Sequence, residues 1–409
     1  MTAISLTRPA LPINLWGKIV SFLSPEQQLI IRRVNTLWLQ HSEQNIYKAA
    51  LLQSISKLPI DGIKTFLKER PLLIKNLVNQ QFHEITNPNS KFTRELLSKI
   101  IRCEFEKDFS SVITYLQSLT EKQQKMIETL DFSSDDFNTC TDEQVTEVIQ
   151  LCPNLKSLNL LNFKITGECL TKFPKENQLE KLILGGCVDV EEVFLERLFL
   201  KAACLKEVNL SGIDITGSCL ALIPQNNQLE KLVIEGCKEL DEEYLIDFFL
   251  RATCLKEVDL SDTNTTGEGL AQISKQNQLK QLVLEECEEL NEDFLEILFP
   301  KAIHLKFLNL SNTFITGSCL TQFSGKSQIK QLSIAGCEEL DEAALAFFFS
   351  RAIHLKEADL SDTNTTGQGL SNISKENYLE KIFLDRCLYI QRAFLSAFYV
   401  KAIHLKERG

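Results

Sequence analysis

Cysteine is the residue type in this sequence with the widest chemical scope, because a thiolate can bind a metal, form a disulfide or act as a nucleophile. The chain has 409 residues and 13 cysteines. One series of cysteines recurs every 50 residues, at Cys187, Cys237, Cys287, Cys337 and Cys387. A second series has the same spacing and mixes two metal-ligating residue types, at Cys204, Cys254, His304, His354 and His404.

Both series belong to a repeat of 50 residues that contains two shorter motifs of 24 and 26 residues. The first motif has leucine or valine at the ends and middle of Leu205–Leu210, and the second has the same pattern over Leu229–Ile234. This is the spacing of leucine-rich repeats, in which a short strand and a returning turn or helix form one coil. Ten coils can be counted from Leu155 to about Ala402, and the segment 130–149 resembles an atypical opening coil.

The repeat predicts what the cysteines do. Equivalent positions 50 residues apart would lie two coils apart, ~10 Å at the usual strand spacing. A disulfide needs α-carbons within ~7 Å, and a shared metal ion needs closer ligands still. The sequence also has no Cys-x-x-Cys pair. We therefore predict buried, reduced thiols in a reducing compartment, with no metal and no cofactor.

Composition restricts the partners. With 44 basic and 55 acidic residues, the net charge of −11 argues against a general nucleic-acid-binding protein. No apolar run approaches the ~20 residues that span a bilayer, and the N-terminus lacks the pattern of a signal peptide. We expect a cytoplasmic protein.

Hydrogen-bonding residues recur at the predicted turns of the coils. Thr166, Thr216 and their equivalents precede a glycine, where a threonine hydroxyl can cap the following turn. Asp241, Asn291 and Asp341 precede the helical segments in the longer motif and predict helix N-caps.

A different pattern precedes the repeats. Apolar residues at four-residue spacing predict three short amphipathic helices, and the segment 24–27, Ser-Pro-Glu-Gln, is typical of a capped helix start. The residues that carry this pattern are Leu11, Pro12, Leu15, Ile19, Phe22, Leu23, Leu29, Val34 and Trp38. Three short helices bury little apolar surface by themselves. We therefore expect a partner protein to complete their core.

This order of residues resembles an F-box, and the cysteine-containing coils are similar to those of the F-box leucine-rich-repeat proteins. The resemblance implies that the nine residues bind a Skp-type adaptor and, through it, a cullin. It also implies that the repeats hold the protein to be ubiquitinated, as the substrate-recognition subunit of an SCF-type cullin-RING E3 ubiquitin ligase. Asn14 and Asn35 depart from the usual pattern and put the affinity for the adaptor in doubt.

The predicted fold class is α/β, a leucine-rich-repeat solenoid preceded by an all-α F-box and a helical connector. The expected boundaries are residues 1–45 for the F-box, 46–128 for the connector and 129–409 for the solenoid. Apolar residues with helical spacing in the connector argue against a flexible linker.

Residues between the buried leucines of each strand should line the concave face and bind the target. The charged candidates are acidic, which suggests a basic target: Glu257, Asp259, Glu285, Glu357 and Asp359. The apolar candidates, expected to be exposed, are Ile183, Val233, Val283, Phe307 and Phe383. The two phenylalanines are the preferred anchors, since buried aromatic groups contribute much of interface affinity. The acidic residues could instead only keep the solenoid soluble.

Other interpretations remain open. One is an inhibitor or scaffold without a ligase role, similar to ribonuclease-inhibitor proteins that wrap a basic enzyme. An enzyme is disfavoured because no hydrolase, metalloprotease or phosphate-loop motif occurs; a cysteine-dependent ligase would have to use Cys103 or Cys140. Near-identical repeats rich in Asn, Gln, Lys and Ile fit either a eukaryotic protein or a bacterial effector that acts in the host cytosol.

Overall fold

The structure is a computed structural model that describes residues 97–102, 108–133, 140–225, 227–323 and 327–408. The chain divides into two units between Asp131 and Phe132. The predicted F-box, residues 1–45, lies outside the described residues, so its boundary with the connector stays a prediction.

The described part of the first unit is mainly helical, and all of it before residue 129 belongs to the predicted connector. Its elements are helical residues 97–102, helix α1 Phe109–Gln117, helix α2 Glu121–Gln124 and strand β1 Thr129–Asp131. Asp108 caps α1 by accepting a hydrogen bond from the backbone of Ser111. Thr120 and Gln123 form a reciprocal capping box at α2, which is why the short helix begins there. Apolar side chains of α1, Val112 and Leu116 among them, are fully buried.

The second unit contains the solenoid predicted from the repeat. Its strands lie parallel and follow one another in chain order, each paired with the next. They are β2 Ser157–Asn159, β3 Lys181–Ile183, β4 Glu207–Asn209, β5 Lys231–Val233, β6 Glu257–Asp259, β7 Gln281–Val283, β8 Phe307–Asn309, β9 Gln331–Ser333, β10 Glu357–Asp359, β11 Lys381–Phe383 and β12 Glu407–Arg408. The strand starts alternate by 24 and 26 residues, as the two motifs predict.

Helices and tight turns return the chain from each strand to the next. The α-helices are α3 Asp142–Leu151, α4 Glu192–Phe199, α5 Ser218–Ala221, α6 Glu242–Phe249, α7 Glu268–Ala271, α8 Glu292–Leu298, α9 Glu342–Arg351 and α10 Arg392–Lys401. Three 3-10 helices take the place of α-helices in other coils: Glu168–Lys172, Ser318–Gln322 and Leu370–Asn372. Asp241, Asn291 and Asp341 cap α6, α8 and α9 with their side chains, which confirms that prediction.

The core runs between the sheet and these returning segments. Leu205, Val208 and Leu210 of one coil have no exposed surface, and Phe248 and Phe249 of α6 are about as deeply buried. Because one coil presents apolar side chains to both neighbours, burial continues along the stack rather than around one centre. Within the described residues, no helix is both long and apolar enough to cross a membrane.

A left-handed residue follows each of the strands β2 to β11 and turns the chain out of the sheet. Glycine occupies this position after several strands, including Gly186, Gly212, Gly236 and Gly336. The others have a side chain at positive φ: Asn162, Asp262, Glu286, Asn312, Asp362 and Arg386. Asparagine and aspartate tolerate this conformation comparatively well, whereas glutamate and arginine do so less readily.

Candidate partner-binding face

One face of the parallel sheet carries the predicted target-binding residues. The middle residue of each of the strands β2 to β11 is buried in the core, and the first and third residues lie on the opposite side. We call this side the open face. Its first row consists of the first residues of β2 to β12, and its edge row consists of the residues immediately before those strands.

All ten predicted target-binding residues lie on or beside the open face. Glu285 lies two residues beyond the end of β7, and the others are first or third residues of their strands. Val233, Phe307 and Phe383 are half-buried. The prediction that all five apolar residues are exposed was wrong for Ile183 and Val283, which are only 8% and 9% exposed.

Towards both ends of the solenoid, lysines and glutamates of the edge row form ion pairs between adjacent coils. Lys206 lies 2.8 Å from Glu180, and Lys256 lies 2.6 Å from Glu230. Towards the other end, Glu380 accepts from Lys356 at 3.2 Å and from Lys406 at 2.7 Å. Each pair joins two adjacent coils, so these charges are compensated within the protein.

The first row has the same arrangement. Its ion pairs are Lys181 with Glu207 at 2.8 Å, Lys231 with Glu257 at 2.9 Å and Lys381 with Glu407 at 2.8 Å. Glu357 accepts a hydrogen bond of 3.2 Å from Gln331. The prediction of an acidic face is therefore wrong for this row, because the parallel register places a lysine beside most of its glutamates.

Both rows lose this pairing in the same three coils. In the edge row, Lys280, Lys306 and Lys330 occupy consecutive positions that backbone hydrogen bonds of 2.8 Å connect. In the first row, Gln281, Phe307 and Gln331 take the places of charged residues and pair with one another across β7, β8 and β9. We call these six residues the β7–β9 patch.

A second group of charges lies at the other ends of the strands, and here the face is acidic as predicted. It contains Glu235, Asp259, Asp262, Glu285 and Glu286. Burial raises the pKa of Glu235, and the nearby carboxylates of the other four raise it further. Lys238 pairs with Asp262, and Asn309 donates to Glu285 at 2.9 Å. The open face is thus basic at one edge and acidic at the other around β7.

Carboxylates on the helix side hold five of the described coils to the coil that follows, a feature that sequence reasoning missed. Glu192, the first residue of α4, accepts hydrogen bonds from the backbone of Thr216, Gly217 and Cys219 at 2.8, 2.9 and 3.1 Å. Four other acidic residues at the same position of the repeat also accept backbone hydrogen bonds from the next coil: Asp142, Glu242, Glu292 and Glu342. Its fixed recurrence every 50 residues was the available signal.

These contacts revise the expected role of the threonines. The turns begin after a left-handed glycine such as Gly167 or Gly217, so the preceding threonine is not the cap residue itself. The hydroxyl of Thr216 accepts a hydrogen bond from Ser218 at 3.3 Å and donates one to Glu192 at 2.9 Å. The threonine thus joins two coils as well as bracing its own turn.

The cysteines of the longer motif also join coils. Each thiol donates to the carbonyl oxygen of a leucine in the preceding coil, with Cys187 to Leu160 at 3.0 Å and Cys287 to Leu260 at 3.0 Å as examples. Burial raises the pKa of Cys187 to about 12. Burial also raises the pKa of Cys237, Cys287 and Cys337, so these thiols and that of Cys187 remain protonated near neutral pH and act as weak donors.

The proposed catalytic cysteines gain no support. Cys140 is 4% exposed, and burial followed by the charge of Asp142 raises its pKa to about 12, which opposes formation of a nucleophilic thiolate. Cys103 lies outside the described residues. Within the described ranges, no three His, Cys, Asp or Glu side chains form a group that could hold a metal ion.

The adaptor-binding residues lie outside the part of the chain that the structure describes. They are Leu11, Pro12, Leu15, Ile19, Phe22, Leu23, Leu29, Val34 and Trp38. Their role stays a prediction from the sequence.

Comparisons with known proteins place the fold. No family model matches the chain, and no curated protein matches it significantly in sequence. A chain of the yeast Rad7–Elc1 complex is similar in structure, with a TM-score of 0.53, 16% identity, and coverage of 90% of this chain and 95% of that one. An internalin (inlF) from Listeria monocytogenes has a TM-score of 0.50, 15% identity, and coverage of 75% and 87%. The protein has a solenoid fold of the leucine-rich-repeat type.

Proposed function

We propose that this protein is a non-catalytic receptor that binds a target protein on the open face of its solenoid. The observation that carries this proposal is the β7–β9 patch, where the otherwise ion-paired first row and edge row present a half-buried phenylalanine and three lysines. Aromatic groups surrounded by polar residues are typical of interfaces between proteins. The similarity of the fold to a chain from a protein–protein complex is consistent with this role.

We further propose that the receptor is the substrate-recognition subunit of an SCF-type ubiquitin ligase in the cytoplasm. The F-box-like residues near the N-terminus would bind a Skp-type adaptor, and the adaptor would recruit the cullin. The solenoid would then hold the target near the site of ubiquitin transfer, and such proximity is a large part of what a transfer reaction requires. For a bacterial effector, that compartment would be the host cytosol.

Mixing the full chain with a purified Skp-type adaptor tests the ligase role. We expect a complex by size-exclusion chromatography, and we expect Leu11→Ala combined with Pro12→Ala to abolish it. The matched control is Phe307→Ala, which changes the solenoid and should leave adaptor binding intact. Absence of a complex, or a complex that the double variant does not weaken, would contradict the ligase role.

A binding inhibitor or scaffold is the second candidate, and the division of the chain between Asp131 and Phe132 favours it, because the solenoid forms a unit of its own. If the protein is an inhibitor or scaffold, the variant with Leu11→Ala and Pro12→Ala should affect the target as strongly as the wild-type protein does. The two functions therefore differ in whether the N-terminal residues are needed.

A further inference from the structure

We infer that the β7–β9 patch binds an extended, carboxylate-rich segment of the target protein. This inference rests on the proposed function, because it names the chemistry of the target that the open face holds. It also changes the expected partner, since the sequence alone suggested a basic target. The acidic edge of the same face can still meet basic groups of that target, but the segment on the lysine edge carries negative charge.

The edge row carries positive charge at the patch. Among the described residues, no carboxylate lies within 4.0 Å of the ammonium groups of Lys280, Lys306 or Lys330. All three side chains are exposed. Their row neighbours are lysines as well, and the flanking Lys256 and Lys356 already pair with Glu230 and Glu380. The three central lysines therefore repel one another until carboxylates from outside the protein pair with them.

The centre of the patch is apolar. Phe307 lies between Gln281 and Gln331, so a neutral strip adjoins the lysines. The half-buried ring offers a surface for an apolar side chain of the target. The Gln281 amide can both donate and accept hydrogen bonds, and the Gln331 amide, whose nitrogen donates to Glu357 at 3.2 Å, still has an oxygen that can accept, which suits the backbone of an extended segment. A carboxylate-rich segment with at least one apolar residue matches both rows.

The patch is small. Three consecutive coils span ~10 Å at the usual strand spacing, which is the length of about three residues of extended chain. A short acidic segment can therefore contact all three lysines and the ring at once. Elsewhere on the two rows, the glutamates of this protein already occupy the lysines, so an acidic partner would have to displace them.

The favoured occupant is protein rather than nucleic acid. A nucleic-acid backbone usually requires an extended basic surface, because affinity comes from many phosphate contacts. Here the basic stretch covers three coils, and the acidic group that includes Glu235 and Asp259 lies at the other ends of the strands. The whole chain also has a net charge of −11.

Fluorescence anisotropy with the full chain tests this inference. The probes are a short fluorescein-labelled peptide in which glutamates alternate with leucines, its counterpart with lysines in place of glutamates, and a labelled single-stranded DNA. The test variant combines Lys280→Gln, Lys306→Gln and Lys330→Gln. The control variant combines Lys206→Gln, Lys256→Gln and Lys356→Gln, which removes the same charge from lysines that are already paired.

We expect the glutamate peptide to bind more tightly than the lysine peptide, with an affinity that falls as salt rises. The test variant and Phe307→Ala should each bind it roughly tenfold more weakly, whereas the control variant should lose much less. Circular dichroism would show that all variants are folded. Preference for the lysine peptide or for DNA, no binding of the glutamate peptide, or equal losses in test and control variants would each overturn the inference.

The same variants separate this inference from the ligase role. The lysine variant should still bind the Skp-type adaptor, because its substitutions are confined to the solenoid. Failure of the adaptor to bind would overturn the ligase role and leave the peptide result standing. Failure of the peptide to bind would overturn the inference and leave the adaptor result standing.

Discussion

A carboxylate oxygen of Glu292 lies 2.7 Å from the backbone nitrogen of Thr316, in the next coil of the solenoid. The other oxygen accepts from Gly317 at 2.9 Å and from Cys319 at 3.2 Å. One side chain thus pairs three backbone N–H groups at the start of a turn, where no intrahelical partner exists for them. Because the carboxylate and the turn belong to different coils, this contact couples the folding of both.

Replacement of Glu292 by alanine should destabilise the protein by about 1–3 kcal/mol, because the three N–H groups lose a charged acceptor. Glu292→Gln should cost less, since its amide oxygen can still accept. The midpoint of thermal unfolding measures the effect, with Asp293→Ala as a control for charge in the same helical turn. Equal midpoints for the Glu292→Ala and Asp293→Ala proteins would contradict this assignment.

Stability should fall in acid. Burial by itself would raise the pKa values of Asp142, Glu192, Glu292 and Glu342, but hydrogen bonds from the next coil outweigh burial and hold them below the ordinary values of 3.8 for Asp and 4.5 for Glu. The folded state therefore binds these protons less readily than the unfolded state. Their stabilisation is complete above the ordinary values and is lost as pH falls through the lowered pKa values.

Thermal unfolding followed from neutral pH down to about pH 3 checks this prediction, because the ordinary carboxyl pKa values lie within that range. The wild-type midpoint should fall steeply below about pH 4.5, whereas the Glu292→Gln protein should show a shallower fall. A variant curve parallel to that of the wild type would mean that the carboxylate does not contribute.

Asn277 should contribute more to the stability of the fold than Ser327, the residue at the same position of the next repeat. Its side chain is 2% exposed, donates to the carbonyl groups of Ser274 and Lys301 at 2.7 and 3.0 Å, and accepts from the backbone of Leu279 at 3.1 Å. Asn277→Ala removes the side-chain partner of the Lys301 carbonyl and of the Leu279 N–H, while Ser274 still accepts from the backbone of residue 277 at 3.0 Å, and it should cost about 2–3 kcal/mol. Ser327→Ala should cost less than about 1 kcal/mol, because Ser327 accepts one hydrogen bond of 3.3 Å from Ile329. Chemical denaturation of both variants makes the comparison, and similar losses would argue against it.

Glu286 should be replaceable by glycine with a gain in stability. Its φ of 60° lies in the left-handed region, where a β-carbon costs roughly 1 kcal/mol or more. Glu286→Gly should therefore raise the unfolding midpoint. Glu286→Ala removes the same charge but keeps the β-carbon, so an equal rise in that variant would show that charge, and not backbone strain, was responsible.

Thiol labelling should distinguish two classes of cysteine. Cys204 is exposed, whereas Cys152 and Cys187 are buried and burial raises the pKa of each to about 12. Alkylation of the folded protein near pH 8 should modify Cys204 and leave the other two intact until the protein unfolds. Mass spectrometry of digested samples measures the order, and early modification of Cys187 would contradict its structural role.

The local features of the repeat could be predicted from the sequence because each depends on a few neighbouring residues. The spacing of Leu205, Val208 and Leu210 predicted a short strand between buried leucines, and the structure has β4 at Glu207–Asn209 with all three of these residues buried. Asp241 indicated a helix start by its residue type and position. The exposure of single residues was less predictable. Val283 lies on the open face, as the alternation along the strand predicts, but it is only 9% exposed.

Contacts between coils were not predictable in the same way. Lys181 and Glu207 are 26 residues apart, and the register of two parallel strands brings their side chains to 2.8 Å. The same register makes Lys280, Lys306 and Lys330 consecutive neighbours.

The sequence by itself determined the coil, its period, its buried rows and the reduced state expected of its thiols, because these depend on residue types within one repeat. Only the tertiary structure decided which charges are paired, since pairing depends on stacking coils ~4.8 Å apart in one register. That stacking converts a face that is acidic in composition into two ion-paired rows with a basic gap at β7–β9.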